Sequence, residues 1–297
     1  MRLRNFLLPD VPTYSMTSEI AIGQNLIAFL ETGRKLAHKV LFLHGFMGCA
    51  DDWQAVMSTQ SAEFDCLAVD LPGHGKTRIV EGETPYAVEE CAALLIAFLH
   101  KKKIARCSLV GYSMGGRLAL FLALRYPHYF NALILESASP GLRTANQRAQ
   151  RRMEDAERAA TLSSGKYEDF LNAWFQLPLF AGMIQHPDFS ALLARRLQND
   201  PQKLAISLQK MGTGQQPSLW PELPALAVPT LLLVGARDAK FIKINEEMAQ
   251  ACPKAQLQII DNAGHNVHFE RPAAYIEKIH HFLNRSKENH DEHDQLD

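Results

Sequence analysis

Gly111-Tyr112-Ser113-Met114-Gly115-Gly116 is the most informative motif in this sequence. It follows a short apolar run at residues 108–110 and precedes a helical pattern over residues 114–125. A serine flanked by glycines at a strand-to-helix turn projects above the sheet, because the glycines allow the chain to turn sharply. We therefore predict that Ser113 is a nucleophile or base. The Met114 amide, at the helix N-terminus, is a candidate donor to an anion.

Short apolar runs rich in Val, Leu and Ile alternate with longer helical patterns along the chain. The runs lie at residues 39–43, 65–69, 108–111, 132–135, 230–234 and 257–260. Near-continuous apolar runs are typical of strands covered on both faces, with helices as the crossovers between them. The sequence therefore predicts an α/β fold with a doubly wound, mostly parallel sheet.

The interval between the runs at 132–135 and 230–234 breaks this alternation, because it contains helical patterns and no strand-like run. We predict a helical cap at residues 139–217, inserted into a discontinuous core of residues 20–138 and 218–285. An independent second domain is the alternative. It is disfavoured because the strand patterns resume directly after the interval.

The composition is that of a globular protein with balanced charge. Of 297 residues, 47% are apolar and 21% are charged, and 31 basic side chains against 32 acidic ones give a formal net charge of −1. This balance argues against a nucleic-acid partner, which would favour a basic excess. Residues 286–297 are polar and acidic, and we expect them to be disordered.

The cysteines and the apolar runs predict a cytoplasmic protein. Five cysteines form an odd set without the paired spacings of zinc sites or secreted disulfide frameworks. The apolar run Phe6-Leu7-Leu8 ends at Pro9, well short of a secretory signal. No run approaches the roughly 18 apolar residues that a membrane span requires.

A second anion donor is expected from the loop Leu43-His44-Gly45-Phe46, which directly follows the run at 39–43. The Phe46 amide is the candidate. Two amides that converge on one oxygen form an oxyanion hole, which stabilises the negative charge of a transition state. We assign His44 to holding this loop rather than to the chemistry.

Serine becomes reactive when a histidine takes its proton and an acid orients that histidine. His265 lies just past the run at 257–260, and it is our candidate for the histidine. His268 is the rival, but it lies at the start of the last helical pattern.

Asp238 follows the run at 230–234 and is the candidate acid, with Asp261 as a rival that is better explained as a turn former. The chain order Ser113, Asp238, His265 is the serine, acid, histidine order of α/β-hydrolases. All three residues follow strands, at the sheet edge where open α/β folds carry their sites.

Arginines suggest an anionic substrate. Arg117 lies one helical turn after Ser113 among small and apolar residues, and a partly buried guanidinium requires an anionic partner. Further arginines lie in the predicted cap, at Arg148, Arg151, Arg152, Arg195 and Arg196. They are either solvated charges paired with nearby acids or ligands of a polycarboxylate, since guanidinium groups bind carboxylates bidentately.

These motifs resemble those of the 2-succinyl-6-hydroxy-2,4-cyclohexadiene-1-carboxylate synthase family of the α/β-hydrolase superfamily, over roughly residues 38–285. The elbow around Ser113 and the His44-Gly45 loop are common to the superfamily. The position of Arg117 and the string at residues 139–151 are more specific. Where the family carries a tyrosine after its cap tryptophan, this chain has Phe175.

The resemblance implies a carbon–oxygen lyase of menaquinone biosynthesis with an α/β-hydrolase fold. Such enzymes eliminate pyruvate from 2-succinyl-5-enolpyruvyl-6-hydroxy-3-cyclohexene-1-carboxylate by proton abstraction, without a metal or organic cofactor. The resemblance also implies a set of residues that bind this small polycarboxylate: Tyr112, Arg117, Arg151, Trp174 and Arg196. For the cap arginines, neighbouring arginines leave the register open.

Two other functions remain open from the residues alone. The same Ser113, His265 and Asp238 would serve a carboxylesterase, a thioesterase or a carbon–carbon bond hydrolase. A catalytically silent binding protein is disfavoured, because such descendants usually lose one of the three residues. We expect a monomer or a small homo-oligomer.

Overall fold

The computed structural model describes residues 17–32, 36–80 and 82–294, with side chains as far as residue 287. The short N-terminal apolar run of the sequence analysis lies outside the described residues. The strands are β1 Ser18–Ile22, β2 Asn25–Glu31, β3 Lys39–Leu43, β4 Asp65–Val69, β5 Cys107–Tyr112, β6 Phe130–Glu136, β7 Thr230–Gly235 and β8 Ala255–Ile260. The α-helices are α1 Gln54–Gln60, α2 Val88–Lys101, α3 Met114–Arg125, α4 Ala145–Ser164, α5 Tyr167–Phe175, α6 Ala181–Ile184, α7 Phe189–Arg196, α8 Pro201–Met211, α9 Ala239–Ala251, α10 Val267–Glu270 and α11 Pro272–Asp294.

One eight-stranded sheet organises the chain, in the order β1-β2-β4-β3-β5-β6-β7-β8. The pairs formed by β3 to β8 are parallel, whereas β1 pairs with β2, and β2 with β4, in antiparallel fashion. The predicted doubly wound, mostly parallel sheet is confirmed. The two antiparallel strands were not predicted, and they add an edge hairpin to a parallel core.

Alternate residues of each central strand face opposite layers of helices, as the two-residue period of a strand requires. Leu41 and Leu43 of β3 belong to the apolar cluster on the side of α2, α3 and α9, whereas Val40 and Phe42 belong to the cluster on the side of α1 and α11. Trp53, which directly precedes α1, is fully buried on the second side. Burial on both faces explains why these strands read as continuous apolar runs.

Between β6 and β7 the described chain forms helices α4 to α8 and no strand. We call these five helices the cap helices. Thr144 begins α4 with a capping box, in which its hydroxyl accepts from the Gln147 amide at 3.1 Å and Gln147 Oε1 accepts from the Thr144 amide at 3.0 Å. The cap helices share an apolar cluster that includes Met47 from the loop after β3. The domain boundaries at residues 139 and 217 stay predictions.

Helix α11 begins at Pro272 and continues to Asp294. This differs from the disorder that we expected for residues 286–297 on composition, and residues 295–297 lie outside the described chain. Phe282 and Leu283 are buried against the sheet, so the helix is already nucleated when it reaches the polar segment. Each further residue then adds a hydrogen bond without a new nucleation cost. None of the described helices is both long and apolar enough to cross a membrane.

The start of α3 lies against the end of β3. A Cβ atom on Gly115 would lie 2.4 Å from the carbonyl oxygen of Leu43 and 2.5 Å from that of His44. Both contacts are with backbone, which cannot rotate away. We expect Gly115→Ala to lower the free energy of unfolding by about 2 kcal/mol or more, as measured by urea denaturation.

Arg125→Ala, at the other end of α3, is the matched control. Its ion pair with Glu222 is partly exposed, so its loss should cost less than about 1 kcal/mol. Equal stability of Gly115→Ala and the wild type would contradict the close approach of α3 to β3.

Candidate active site

Ser113 forms the turn between β5 and α3. Its backbone has φ 49° and ψ −105°, a strained conformation for a residue with a Cβ atom. The Ser113 amide donates to the carbonyl oxygen of Glu136 at 2.9 Å, which ties the turn to β6. The flanking glycines are required by close packing, because a Cβ on Gly111 would lie 2.5 Å from the Gly115 oxygen. The strained backbone conformation is therefore that of Ser113 itself. The glycines allow the neighbouring backbone segments to approach closely.

The structure brings Ser113, His265 and Asp238 into one hydrogen-bonded chain. His265 Nε2 lies 3.0 Å from Ser113 Oγ, and His265 Nδ1 lies 2.7 Å from Asp238 Oδ2. The imidazole and the carboxylate are both buried. A carboxylate only accepts, which assigns the proton to Nδ1 and leaves Nε2 free to accept the serine proton. This is the arrangement that activates a serine oxygen.

The rival histidine is held elsewhere. His268 Nδ1 lies 2.7 Å from Glu136 Oε2, and the His268 amide donates to Glu136 Oε1 at 3.0 Å. Its ring stacks on Trp53 with centroids 4.2 Å apart. The rival acid, Asp261, is exposed. The role of Glu136 was not predictable from the sequence, because its partner lies 132 residues further along the chain.

A second acidic residue that the sequence does not mark, Glu270, holds the loop around His265. Glu270 Oε2 accepts from the Gly264 amide at 2.9 Å, and Oε1 accepts from the Asn266 amide at 3.4 Å. The two amides that flank His265 therefore bind one carboxylate. Burial raises the pKa of Glu270. No periodicity in the sequence marks this contact, since it depends on the turn that precedes α10.

The two predicted anion donors belong to residues that border the same space as Ser113. Phe46 follows β3 and Met114 begins α3, and both line the larger of two cavities at the carboxyl end of the sheet. His44 holds the loop that carries Phe46 through two hydrogen bonds. Its Nδ1 donates to the Gly45 oxygen at 2.8 Å, and its Nε2 accepts from the Leu71 amide at 3.0 Å. The Phe46 ring lies 5.5 Å from that of Trp174 in α5, so the loop also contacts the cap helices.

Two cavities meet at Ser113. The main cavity has a volume of about 350 Å³, and the small cavity has about 50 Å³. Of the predicted substrate-binding residues, Arg117 and Arg151 line the main cavity, Tyr112 and Arg196 line the small one, and Trp174 borders both. The structure therefore brings Arg117 and Arg151 together and separates Arg196 from them.

Arg117 binds only neutral acceptors among the described residues. Its Nη1 donates to Gln216 Oε1 at 2.7 Å, and its Nη2 donates to the Met211 carbonyl oxygen at 3.1 Å. Burial, together with the charge of Arg151, lowers the pKa of Arg117 to about 10, so the guanidinium stays protonated at neutral pH. This cation in the cavity wall forms no ion pair in the described chain, and the charge of Asp155 offsets only part of the decrease in its pKa.

Arg196 carries its own counter-ion. Its Nη1 and Nη2 lie 3.0 and 2.7 Å from the two carboxylate oxygens of Asp52, and Arg195 Nε lies 3.2 Å from Asp52 Oδ1. Burial opposes ionisation of Asp52, but the two arginines outweigh it and lower the pKa of that carboxyl to about 2. The pairing of Asp52 with Arg196 was not predicted, because the two residues are 144 positions apart.

The remaining arginines of the cap helices differ in what they contact. Arg151 Nε lies 2.8 Å from Asp155 Oδ1 while the side chain borders the main cavity. Arg148 and Arg152 instead donate to backbone oxygens, of Leu142 and Gly214. No group of three or more His, Cys, Asp or Glu side chains in the described ranges is placed to hold a metal ion.

The fold and the hydrogen-bonded serine, histidine and aspartate define an α/β hydrolase, and the chain matches the family model described as alpha/beta hydrolase fold over residues 39–272. Three known proteins show how far the similarity extends. The 2-succinyl-6-hydroxy-2,4-cyclohexadiene-1-carboxylate synthase of Salmonella agona is 36% identical over 83% of this chain and 94% of its own. The structure of MenH from S. aureus superposes with a TM-score of 0.83 at 35% identity, covering 88% of this chain and 98% of that one.

The third is a thermophilic esterase from Thermogutta terrifontis, with a TM-score of 0.76 at 27% identity over 92% of this chain and 99% of that one. The chain belongs to the 2-succinyl-6-hydroxy-2,4-cyclohexadiene-1-carboxylate synthase family of the α/β hydrolases. The resemblance identified from the sequence motifs is confirmed.

The buried His44 predicts an acid sensitivity. Burial lowers the pKa of its imidazole from 6.5 to about 4. Between these values the unfolded chain binds a proton that the folded protein does not, so the free energy of unfolding falls as the pH falls through this window. The slope contributed by this group approaches about 1.4 kcal/mol per pH unit.

Urea unfolding of the wild type and of His44→Gln, measured from pH 7 to pH 4, isolates this contribution, since the other titrating groups are common to both proteins. The stability difference between the two proteins should shrink as the pH falls. Parallel stability curves would show that His44 is not the buried neutral residue described above.

Proposed function

We propose that this protein eliminates pyruvate from 2-succinyl-5-enolpyruvyl-6-hydroxy-3-cyclohexene-1-carboxylate, to give 2-succinyl-6-hydroxy-2,4-cyclohexadiene-1-carboxylate in menaquinone biosynthesis. Family membership supports the reaction. The observation that carries it in this chain is Arg117, a cation without a carboxylate partner in the described chain, one helical turn from Ser113 in the wall of the main cavity. A substrate carboxylate would supply the missing counter-ion.

The names of substrate and product define the bond changes. The substrate has a ring double bond between C3 and C4, a hydrogen on C2 and the enolpyruvyl oxygen on C5. When the C2 proton is removed, the electron pair of the C2–H bond forms a new C2–C3 double bond. The π pair of the C3–C4 double bond then forms a C4–C5 double bond, and the C5–O bond breaks. The departing enolate of pyruvate takes up a proton and becomes pyruvate. No oxidant, reductant or water is consumed.

In this proposal Ser113 is the base. His265 Nε2, 3.0 Å from Ser113 Oγ, takes the hydroxyl proton as the oxygen removes the proton from C2. Asp238, 2.7 Å from His265 Nδ1, stabilises the imidazolium that forms. Because C2 is adjacent to the succinyl carbonyl group, charge develops on that oxygen. The amides of Phe46 and Met114 would donate to it.

The substrate-binding roles divide between the two cavities. In the main cavity Arg117 and Arg151 are proposed to bind carboxylates, and Trp174 to cover the ring. In the small cavity Tyr112 and Arg196 are proposed to contact the group that leaves. Asp52 already neutralises much of the Arg196 charge, so Arg196 is expected to contribute less to binding than Arg117.

A carboxylesterase is the second candidate, because the same three residues would serve an acyl-enzyme mechanism and an esterase is among the structural neighbours. Ser113 would then be a true nucleophile, and water would be needed to release the product.

The proposal extends to the setting of the protein. A cytoplasmic location is supported by five cysteines that are all free and buried, since disulfides are characteristic of oxidising compartments. A monomer or small homo-oligomer stays a prediction.

The first experiment mixes the purified protein with the enolpyruvyl substrate and follows pyruvate release together with the near-ultraviolet absorbance of the conjugated diene. Both signals should rise together, and Ser113→Ala should lower both rates by about a thousandfold or more, because it removes the base. Ser190→Ala, on the exposed face of α7, is the control and should match the wild type. Turnover of short esters without either signal would favour the esterase.

A second experiment tests the carboxylate site. Arg117→Met should lower kcat/KM for the enolpyruvyl substrate by roughly a hundredfold, because it removes a charge-assisted contact in a partly buried wall. Turnover of a neutral p-nitrophenyl ester should change little. Equal losses on both substrates would indicate a folding defect instead, and circular dichroism of the variant would identify it.

A further inference from the structure

Four cationic side chains line the main cavity: Arg117, Arg143, Arg151 and Lys240. Two of them already have carboxylate partners. Arg143 pairs with Glu247 of α9 and lies over the Trp220 ring at 3.5 Å, and Arg151 pairs with Asp155. These two charges are compensated within the protein. A substrate carboxylate gains less from a cation that must first share or release its own partner.

Lys240 differs from both. In the part of the chain that the structure describes, its ammonium forms no ion pair or hydrogen bond. Its Nζ lies 5.7 Å from the centroid of the Phe241 ring, near the outer limit of a cation–π contact. Lys240 therefore resembles Arg117 in bordering the main cavity as a cation without a carboxylate partner.

The position of Lys240 is fixed by the contacts of its neighbours Asp238 and Phe241. It is the second residue of α9 and follows Asp238 by two positions. Asp238 Oδ1 accepts from the Phe241 amide at 3.2 Å, and the Phe241 ring lies 4.6 Å from that of His265. The hydrogen bonds that orient His265 thus also hold the start of α9. Lys240 is exposed, so it borders the cavity on the solvent side.

Arg117 and Lys240 lie on helices that follow different strands of the sheet. Arg117 belongs to α3 after β5, Lys240 belongs to α9 after β7, and β6 lies between these strands in the sheet. The two cations therefore enter the cavity from helices that follow strands on either side of β6. They are suited to a ligand with carboxylates at separate positions.

We propose that Lys240 is a specificity-determining residue that binds a second carboxylate of the substrate, other than the one at Arg117. This inference rests on the proposed function, whose substrate carries three carboxylates: one on the ring, one on the succinyl chain and one on the enolpyruvyl group. Lys240 selects for the polycarboxylate against neutral esters and, because it is solvated, attracts the anion as it enters.

The expected effect is modest, because an exposed ammonium is screened by water and salt. Lys240→Met, which retains an apolar stem without the charge, should lower kcat/KM for the enolpyruvyl substrate by about five- to tenfold, mainly through a higher KM. Lys240→Arg should recover most of the loss. Turnover of a neutral p-nitrophenyl ester should be unchanged.

Lys243→Met is the matched control. Lys243 lies one turn further along α9, is exposed, and does not line the main cavity. It should behave as the wild type. Raising the salt concentration should increase KM of the wild type and of Lys243→Met more than that of Lys240→Met. If Lys240→Met and Lys243→Met give the same KM and the same salt dependence, Lys240 does not bind the substrate.

A binding measurement separates this inference from the proposed function. Ser113→Ala retains the cavity but lacks the base, so calorimetric titration with the enolpyruvyl substrate reports affinity alone. Adding Lys240→Met to Ser113→Ala should weaken binding by about five- to tenfold. If the wild type releases pyruvate and these two variants bind the substrate with equal affinity, only the role of Lys240 is overturned. No pyruvate release and no binding to Ser113→Ala overturns both proposals.

Discussion

The close approach of two backbone segments at Gly111 and Gly115 is the constraint on which the rest of the site depends. The first turn of α3 touches the end of β5 and also the end of β3, so three elements meet where a side chain would not fit. Ser113, between them, is held with a positive φ. Because the turn is fixed by packing rather than by hydrogen bonds to the serine side chain, Oγ remains available to His265.

Behind this turn lie two buried pairs of a carboxylate and a histidine, Asp238 with His265 and Glu136 with His268. The Tyr112 ring separates them, with centroids 5.5 Å from His265 and 5.1 Å from His268. Burial, and after it the charge of Glu136, raises the pKa of Tyr112 well above its usual value, so a neutral phenol lies between the pairs. Only the first pair reaches Ser113. The second ties the start of α10 to β6 and so fixes the far side of the loop that carries His265.

Much of this arrangement could be predicted from the sequence, because the carboxyl ends of parallel strands meet at one edge. Ser113, Asp238 and His265 each follow an apolar run, and that position alone brings them to a common edge. Contacts that depend on helix rotation or on distant pairing were not predictable. Arg151 and Arg152 are adjacent in sequence, yet one borders the main cavity and the other donates to Gly214. Similarly, no local pattern indicates that Asp52 binds Arg196, or that Glu270 binds the amides beside His265.

The edge hairpin and the continuation of α11 beyond Leu283 were not predicted, for a related reason. β1 and β2 are paired antiparallel, and β1 alternates between half-buried and exposed residues, so it lacks the continuous apolar run used to recognise the central strands. In α11 the polar residues after Leu283 extend a helix that is stabilised by the buried residues before them. Composition describes a segment in isolation, whereas both elements depend on their neighbours.

The contact between the Phe46 and Trp174 rings links the cap helices to the anion site. Phe46 contributes its amide to the proposed oxyanion hole from the loop after β3, while Trp174 belongs to α5. A displacement of α5 therefore acts on the donor geometry as well as on the space available to the substrate. One of the two proposed oxyanion donors is thus in contact with the cap helices through its own side chain. In the proposed mechanism, substrate enclosure and charge stabilisation are therefore linked through this one contact.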